Sequence, residues 1–329
     1  MTFPTHPLPT NMQQWDLSYQ LQLTGSWMIS ATYVGNKTTH IWTGYAGNPA
    51  VYIPGQCGNS PCSTTGNTAQ RRLLSLENPA AGAQLSTVAV ADDGSNAEYQ
   101  ALIVSAQHRF SRHYTMVANY TWSHCIDEGD FGGDINGPQY QNPYNRNADR
   151  GNCGFDIRHN MNLSFVAVAP RFGGIWTNRL LGNWQLAPIF SVRSGPWFGV
   201  SSGLDNSLTA VGLDRPNLVS GVSPYVKNLN TRQWLTAAAF TPNLPGQYGN
   251  LGQASLVGPG LFNIDAALSR NFNIPRHDTQ RLEVRFEAFN ALNHTNFNTP
   301  STSLTSSSFG QILGARDPRI LQFAMKYVF

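Results

Sequence analysis

Three neighbouring residues, Ser123, His124 and Asp127, have the side chains that a hydrolase uses as nucleophile, base and orienting acid. A catalytic triad is defined by its geometry, however, and adjacency in the sequence does not supply that geometry. The sequence contains no His-Glu-x-x-His pair, and its histidines are scattered over the whole chain. These observations predict that the chain is not an enzyme.

An acidic, glycine-rich segment begins at residues 127–134, and Asp149 and Asp156 lie a little further along. Carboxylate oxygens on a flexible loop are ligands that Ca²⁺ accepts, which makes calcium binding one candidate role for residues 127–156. The spacing does not match the EF-hand pattern. A solvated surface loop is the simpler interpretation, so the sequence predicts no metal and no cofactor, and calcium remains an alternative.

Four cysteines occur as two pairs along the sequence, Cys57 with Cys62 and Cys125 with Cys153. Neither pair has the spacing of a zinc site, because no Cys-x-x-Cys or His-x-x-x-His motif accompanies it. Their surroundings are rich in glycine, asparagine and serine, which is typical of loops. Paired cysteines in such loops favour disulfides in an oxidising compartment, although the sequence leaves the connectivity open.

Two further segments carry aromatic side chains near predicted strand ends or in loops. Pro196, Trp197 and Phe198 suit a ligand platform, although aromatics near strand ends more often form an interfacial girdle. Residues 232–240 have the composition of a short helix packed on an extracellular loop. We expect Trp234 and Phe240 to form the small core of that loop, with a binding site as the alternative.

The elements that position these residues are indicated most clearly by the carboxy-terminal segment, residues 319–329. One face of a strand, at a spacing of two, carries Leu321, Phe323, Met325, Tyr327 and Phe329, and the other carries Gln322, Ala324 and Lys326. A strand that is apolar on one side and ends on an aromatic residue is typical of the closing strand of an outer-membrane β-barrel. A strand of a soluble sandwich has the same pattern, so the choice depends on whether the pattern recurs.

The alternation does recur, most clearly in residues 281–288. Four charges on one face of this strand, Arg281, Glu283, Arg285 and Glu287, require water and counter-charges, which a polar barrel lumen supplies. A solvated face of a soluble sheet is the alternative. Similar segments near 15–24, 27–35, 100–107, 114–122, 160–167, 184–192 and 262–269 favour the barrel. The expected lumen face includes these four charges and Lys326, and the expected lipid face includes Leu282, Val284, Phe286, Phe323, Met325 and Phe329.

The composition excludes several other classes of protein. Charged residues make up 12% of the 329-residue chain, about half of the share usual for a soluble globular protein. No run of 18 apolar residues occurs, which argues against a membrane-spanning helix. The net charge of +3 is small and dispersed, so we expect no nucleic-acid partner. The amino terminus lacks the basic and apolar regions of a signal peptide, which we expect an exported protein to carry.

The connections between strands sort into two kinds. Counting weaker candidates near 69–77 and 84–91, the pattern predicts eleven antiparallel strands with brief and long connections in alternation. Long connections fall near 36–68, 125–156, 199–260 and 292–318, and the remaining connection on that side, a loop predicted at 92–97, is short. Short periplasmic turns and long extracellular loops are the arrangement of bacterial outer-membrane barrels. An odd strand count predicts an open partial barrel, with residues 1–329 as a single domain and both cysteine pairs outside the cell.

Several segments resemble one known family. They are residues 119–128 (Asn-Tyr-Thr-Trp-Ser-His-Cys-Ile-Asp-Glu), 155–159 (Phe-Asp-Ile-Arg-His), 286–294 (Phe-Glu-Ala-Phe-Asn-Ala-Leu-Asn-His) and the Phe-Gly-Gln-Ile and Asp-Pro-Arg ahead of the terminal strand. The family is the Oar-like group of TonB-dependent outer-membrane receptors, and residues 15–40 also look like a mid-barrel hairpin of that group. The resemblance implies the carboxy-terminal half of a 22-stranded barrel in a Gram-negative outer membrane.

The resemblance also implies partners. In that family a regulatory-like domain, a TonB box and a plug precede the barrel, and this sequence has no room for them. TonB is therefore expected to act only through the plug of a full-length receptor, and transport is expected only of that parent protein. Outer-membrane lipid and the barrel assembly machinery are further expected partners, the latter through a terminal signal that comprises Phe323, Met325, Tyr327 and Phe329.

Two functions follow from the sequence. The first is the barrel portion of a TonB-dependent receptor, which forms the pore wall and the extracellular ligand loops. The second is a soluble secreted all-β binding module, such as an adhesin or a lectin-like domain. A barrel partitions with detergent and migrates on gels in a heat-modifiable way, whereas a soluble module stays monodisperse in plain buffer.

Overall fold

Nine long antiparallel strands form one sheet in the computed structural model, which describes residues 1–111, 114–129, 135, 137, 139–170, 173–274 and 280–329. The strands are β1 (Asn11–Gln22), β2 (Trp27–Ala46), β3 (Ala89–Ser111), β4 (Tyr114–Asp127), β5 (His159–Val168), β6 (Gln185–Arg193), β7 (Leu261–Asn273), β8 (Arg281–Phe289) and β9 (Ile320–Val328). Each strand pairs with its neighbours in chain order. Within the described residues β1 and β9 lie at the two ends and do not pair, so the sheet is open.

One face of this sheet is apolar from end to end. Cross-strand pairing brings together Leu17 with Tyr33, Tyr33 with Leu102, and Leu102 with Trp122. The same face continues through Met161, Val192, Ile264, Phe286 and Phe323 on the later strands. Its side chains are exposed to an unusual extent, with Leu17 at 73% and Leu321 at 71%. An apolar surface of this extent, left uncovered, is typical of contact with a membrane.

The opposite face carries a row of polar side chains that we call the polar rung. Pairing aligns one residue from each of seven consecutive strands: Gln20, Ser30, Ser105, Asn119, Asn162, Ser191 and Asn263. The Ser105 hydroxyl donates to Asn119 Oδ1 at 2.7 Å, and the Ser191 hydroxyl donates to Asn162 Oδ1 at 3.1 Å. The two faces therefore differ as the lipid face and the lumen face of a barrel differ.

The connections alternate in length around the sheet. Short ones link β1 to β2 (residues 23–26), β3 to β4 (112–113), β5 to β6 (169–184) and β7 to β8 (274–280). Residues 112–113, 171–172 and 275–279 lie outside the described residues. Long loops occupy 47–88, 128–158, 194–260 and 290–319 at the other end of the sheet. This alternation confirms the all-β, antiparallel outer-membrane barrel fold that the sequence predicts.

The long loops contain short elements. Helices are Thr68–Arg71, Leu73–Glu77 and Pro79–Gly82, with 3₁₀ turns at Thr65–Asn67, Arg146–Asp149 and Ala237–Ala239. Two-stranded ribbons pair Gln56–Cys57 with Ser60–Pro61, Trp197–Phe198 with Leu256–Val257, Asn217–Leu218 with Phe240–Thr241, and Tyr225–Asn228 with Gln233–Leu235, and Gly151–Asn152 pairs with β4. The helix Ile175–Leu181 lies in a connection at the opposite end. Among the described residues no helix has both the length and the apolar character to cross a membrane.

The predicted count of eleven strands is wrong, because two weak candidates are not separate strands. Residues 69–77 form short helices. The next short helix begins at Pro79, a residue that suits the first helical position. Asn78 caps this helix, because its side chain accepts a hydrogen bond from Ala81 N at 3.1 Å. Residues 84–91 lead directly into β3, which continues through 92–97 where a loop was predicted. The pairing of β2 with β3 through two register shifts keeps this polar stretch extended.

The loop boundaries shift for the same reason. The loop predicted at 36–68 occupies 47–88, since β2 and β3 have 20 and 23 residues. About 9–11 residues suffice for a strand to cross a membrane, so these two strands extend well beyond it. The predicted loop 125–156 begins after Asp127, and the remaining long loops lie within a few residues of their predicted positions.

Candidate functional site

The described residues of the four long loops, 47–88, 128–158, 194–260 and 290–319, pack together into one body, which we call the loop platform. Its hydrophobic core combines two of these loops, with Trp234, Leu235 and Phe240 from one and Phe309 and Ile312 from the other. The rings of Phe240 and Phe309 meet edge to face at 5.5 Å between centroids. The expectation that Trp234 and Phe240 lie in a loop core is confirmed, although the expected helix is only the turn Ala237–Ala239 after a short strand.

A buried ion pair joins loop 128–158 to loop 194–260. Asp149, which is fully buried, accepts from the Arg215 guanidinium, and Arg215 also donates to the carbonyl oxygens of Leu251 at 2.7 Å and Ala148 at 2.9 Å. Gln141 completes the joint, because its side-chain oxygen accepts from Arg215 N at 2.7 Å and its amide donates to Gly249 O at 3.2 Å. All of these groups are satisfied by one another, which a buried charge requires.

A buried arginine joins loop 47–88 to loop 194–260. Arg71 donates to the carbonyl oxygens of Val51, Thr64 and Leu208 and to the side-chain oxygen of Asn67. Burial lowers the pKa of Arg71, and the charge of Asp205 partly opposes that effect. The doublet that begins with Arg71 therefore has a structural role inside the loop platform.

The end of β2 and the beginning of β3 contact the platform through loop 128–158. The hydroxyls of Thr43 and Tyr140 share a hydrogen bond of 2.6 Å, and Tyr140 donates to Asp92 Oδ2 at 3.3 Å. Arg146 pairs with the same Asp92 carboxylate and donates to Gly94 O at 2.8 Å. Burial raises the pKa of the Tyr140 hydroxyl, and it is the largest of several effects on that group.

The structure joins the cysteines as two disulfides, Cys57–Cys62 and Cys125–Cys153. Cys57 and Cys62 close a two-stranded ribbon within loop 47–88. Cys125 lies in β4 and not in the following loop, so its bond to the fully buried Cys153 fastens loop 128–158 to the sheet. Both disulfides belong to the end of the molecule that carries the loop platform.

A cavity of about 420 Å³ opens where three platform loops meet. Its walls combine the aromatic rings of Trp197 and Phe198 with the polar side chains of Gln141, Arg215 and Gln253. The buried Gln253 Oε1 has no hydrogen-bond partner among the described residues. A concave site with aromatic walls and a few polar groups is typical of small-molecule binding.

This position of Trp197 and Phe198 answers a question that the sequence left open. The less common interpretation, a ligand platform, agrees with their place in the cavity wall, whereas a membrane girdle does not. Trp197 pairs with Val257 inside the loop platform, and the Arg158 guanidinium lies 5.8 Å from its ring. Sequence reasoning did not identify Gln141, Arg215 or Gln253, because no motif surrounds them.

The residues with catalytic side chains do not come together as a triad. Ser123 and His124 point to opposite faces of β4, since successive residues of a strand alternate. The Ser123 hydroxyl donates to Ile157 O at 3.0 Å, while His124 Nδ1 lies 3.3 Å from Asp156 Oδ2. The prediction that the chain is not an enzyme stays a prediction.

The acidic segment is only partly described. Asp130 and Asp134 lie outside the described residues, so the calcium alternative is not decided for them. Three of the described acids are engaged: Glu128 pairs with Arg150, Asp149 pairs with Arg215, and Asp156 lies near Arg158 and His124. In the part of the chain that the structure describes, no three His, Cys, Asp or Glu side chains are arranged to hold a metal ion.

The predicted charge row lies on the face that carries the polar rung. Arg285 and Glu287 form an ion pair of 2.6 Å, and pairing places Glu283 opposite Lys326. The alternate residues Leu282, Val284, Phe286, Phe323 and Met325 lie on the apolar face. Tyr327 shares that face, and Phe329, which follows the last strand, is 89% exposed and lies 6.2 Å from the Tyr327 ring.

Comparisons with known proteins agree with this architecture. A family model described as an outer membrane beta barrel domain matches residues 1–322. A search of curated protein sequences found no match. Among solved structures, the chain is similar to the outer membrane transporter YddB from Escherichia coli, with a TM-score of 0.53 and 7% identity. The similarity covers 100% of this chain and 34% of the YddB chain, so this chain spans about a third of that protein's length.

Proposed function

The chain belongs to the outer membrane beta barrel domain family, and from this premise we propose that it forms part of the wall and the extracellular entrance of a transporter. The transporter we propose is a TonB-dependent receptor of the Oar-like type, in which a plug supplies the contact with TonB. The observation that carries the proposal is the pairing of a two-faced sheet with a loop platform at one end. The sheet suits a pore wall, and the platform holds a cavity at the pore entrance.

The two faces of the sheet support the role of a wall. The apolar face meets lipid, while the polar rung and the Arg285–Glu287 ion pair face an aqueous lumen. A soluble binding module is disfavoured, because its water-facing surface would include side chains such as Leu17 and Phe323, exposed by 73% and 56%.

The loop platform supports the role of an entrance. Its cavity of about 420 Å³ has the size of small-molecule sites, and its walls offer aromatic rings beside amide groups and one guanidinium. Such walls suit a small amphipathic solute that has an apolar ring and several hydrogen-bonding groups. The charge-bearing Arg215 is already engaged by Asp149, so a neutral solute fits the cavity better than an anion.

The terminal strand supports recognition and membrane insertion by the barrel assembly machinery. Phe323, Met325 and Tyr327 alternate on the apolar face, and the exposed Phe329 lies beside Tyr327. In the proposed role, the assembly machinery recognises this pattern and inserts the strands into the outer membrane. The resulting partners are membrane lipid and the assembly machinery, with TonB acting through the plug.

A genetic comparison tests the proposed function. A strain that lacks this gene and a strain that lacks TonB are grown on a panel of nutrients, and uptake defects are recorded. We expect every nutrient that requires this gene to require TonB as well. A nutrient whose uptake needs the gene but is unaffected by loss of TonB would overturn the TonB-dependent assignment.

Cavity variants connect that phenotype to the loop platform. Trp197→Ala removes one wall of the cavity and is expected to raise the concentration for half-maximal uptake by at least tenfold. Tyr52→Ala, an aromatic change elsewhere in the platform, serves as the matched control and should leave uptake unchanged. Equal defects in both variants would point to general damage of the platform instead of a binding site.

A further inference from the structure

A short helix at the end of the sheet opposite the loop platform exposes an apolar surface. This rim helix, Ile175–Leu181, lies in the connection between β5 and β6. Four of its side chains, Ile175, Trp176, Leu180 and Leu181, are 59–73% exposed. Exposing a tryptophan and three aliphatic side chains to water is unfavourable for a helix of two turns, so we expect an apolar environment to cover them.

Arg270 fixes the side of the sheet on which the rim helix lies. Pairing places Arg270 opposite Val284, on the same face as Leu268 and Phe272, which is the apolar face. Its guanidinium donates to two carbonyl oxygens near the end of the rim helix, Leu180 O at 3.2 Å and Asn178 O at 3.3 Å. The carboxy-terminal end of the helix therefore lies against the membrane side of the sheet and not against the lumen.

This arrangement also explains an arginine on the apolar face. The carbonyl groups at a helix carboxy terminus carry partial negative charge, which stabilises a nearby cation. The rings of Phe272 and Trp184 lie 4.7 Å and 5.8 Å from the Arg270 guanidinium. Arg270 is buried as a result, so its charge is shielded from lipid by the helix and the two rings.

A row of aromatic rings marks the level of the rim helix along the sheet. Trp27, His108, Tyr114 and Phe165 follow one another with centroid distances of 4.9, 4.2 and 5.7 Å at the ends of β2 to β5. Trp184 continues the row, and its indole donates to Leu180 O at 2.9 Å. Aromatic girdles of this kind lie at the membrane–water boundary of outer-membrane barrels, so the rim helix lies at the periplasmic boundary.

We propose that the rim helix is an interfacial anchor that docks on the phospholipids of the periplasmic leaflet. Ile175, Trp176, Leu180 and Leu181 insert among the acyl chains just below the headgroups, continuous with the apolar face of the sheet. Phospholipid is the partner that covers these side chains, because the helix is attached to the lipid side of the aromatic girdle. An amphipathic helix at this depth buries its apolar side by about 5–10 Å. The proposal rests on the membrane placement that the proposed function requires.

Depth-sensitive fluorine NMR tests the proposal. The full chain is labelled with 5-fluorotryptophan and placed in nanodiscs of phosphatidylethanolamine and phosphatidylglycerol, with and without phosphatidylcholine that carries a doxyl group at acyl carbon 5. The Trp176 resonance is assigned by its loss in Trp176→Phe. We expect the doxyl lipid to broaden Trp176 severalfold, to broaden Trp122 on the apolar face, and to leave Trp234 in the platform core sharp.

The three tryptophans separate the possible failures. If Trp122 broadens and Trp176 stays sharp, the helix faces water or a periplasmic protein, and the anchor proposal is overturned while the barrel placement stands. If neither broadens, the membrane placement itself is wrong.

Two charge variants give an independent readout. Arg270→Gln removes the contact that holds the helix and should reduce the broadening of Trp176 at least twofold while leaving that of Trp122 unchanged. Arg285→Gln, on the polar face, is the matched control and should change neither resonance. Equal broadening of Trp176 in wild type and Arg270→Gln would contradict the role of Arg270 as the attachment point.

Discussion

The sheet and the loop platform are built on different physical principles. Each strand of the sheet repeats every two residues, so that lipid on one side and water on the other specify the pattern of side chains. The platform has no such period, and its loops are joined by single buried contacts such as Asp149 with Arg215 and Arg71 with Leu208. The comparison teaches that one repeated alternation of side chains stabilises the sheet, whereas a small hydrophobic core and a few specific polar contacts stabilise the platform.

The largest effect is expected at the Asp149–Arg215 joint. Asp149→Ala leaves the Arg215 guanidinium buried without its partner, which should destabilise the loop platform by about 3–5 kcal/mol. Limited proteolysis should then cut within 128–158 and 194–260, while the heat-modifiable band of the sheet persists. Lys37→Ala breaks a half-exposed pair of 3.9 Å with Glu98 and should cost at most about 1 kcal/mol. Simultaneous loss of sheet and platform in Asp149→Ala would break the distinction between the two regions.

The disulfides should differ in effect because they close chain segments of different length. Their sequence separations are 28 for Cys125–Cys153 and 5 for Cys57–Cys62. Loss of chain entropy in the unfolded state predicts stabilisation of about 3–4 kcal/mol for the first and about 2 kcal/mol for the second. Paired serine variants, compared by the urea midpoint of platform proteolysis, check this order. A larger effect at the shorter segment would show that native contacts, and not chain entropy, dominate.

A pair of adjacent substitutions sharpens the description of the sheet. Phe190→Arg places a charge on the apolar face of β6 and should destabilise the barrel by about 2–4 kcal/mol near the bilayer centre. Ile189→Arg introduces the same side chain one residue earlier, on the polar face, and should have a small effect. Urea unfolding in lipid vesicles measures both. Equal costs at the two positions would refute the assignment of the faces.

The smallest effect concerns the alkaline titration of Tyr248. Burial, followed by the charge of Asp214, raises the pKa of Tyr248 to about 12 from its usual value of 10. The folded platform therefore favours the neutral phenol, and the stability that this group contributes is complete below pH 10 and is lost as the pH rises towards 12. Absorbance at 295 nm should show a tyrosine titration near pH 12 that is lost in Tyr248→Phe, while the late titration expected of Tyr140 remains. A wild-type titration identical to that of the variant would contradict the burial of this hydroxyl.

The sheet could be predicted from the sequence to the extent that its strands alternate. β8 begins at Arg281 as predicted and ends at Phe289, one residue beyond the predicted end. The prediction succeeded because the alternation of four charged and four apolar residues allows only one assignment of the two faces. The stretch from Asp92 to Asn96 was misassigned, since its residues favour turns and only the pairing with β2 keeps it extended. Local propensity yields there to contacts made by residues distant in sequence.

The loop platform could not be predicted in the same way. Gln141 and Arg215 are separated by 74 residues, and Arg71 and Leu208 by 137. Nothing in the neighbouring sequence indicates that these groups meet, because each one forms hydrogen bonds with a partner that is distant in the sequence. Trp197 and Phe198 are intermediate: their aromatic side chains attracted notice, but only the folded loops decide between a cavity wall and a girdle.

The polar rung has a consequence for how the barrel is assembled. Strands enter the sheet one beside another, and a slip of one residue exchanges the two faces of the incoming strand. Such a slip would move Asn162 into hydrocarbon and would deprive the Ser191 hydroxyl of its acceptor. A slip of two residues would keep the faces but misalign the row. The aligned rung therefore distinguishes the native register of each strand from both kinds of slip.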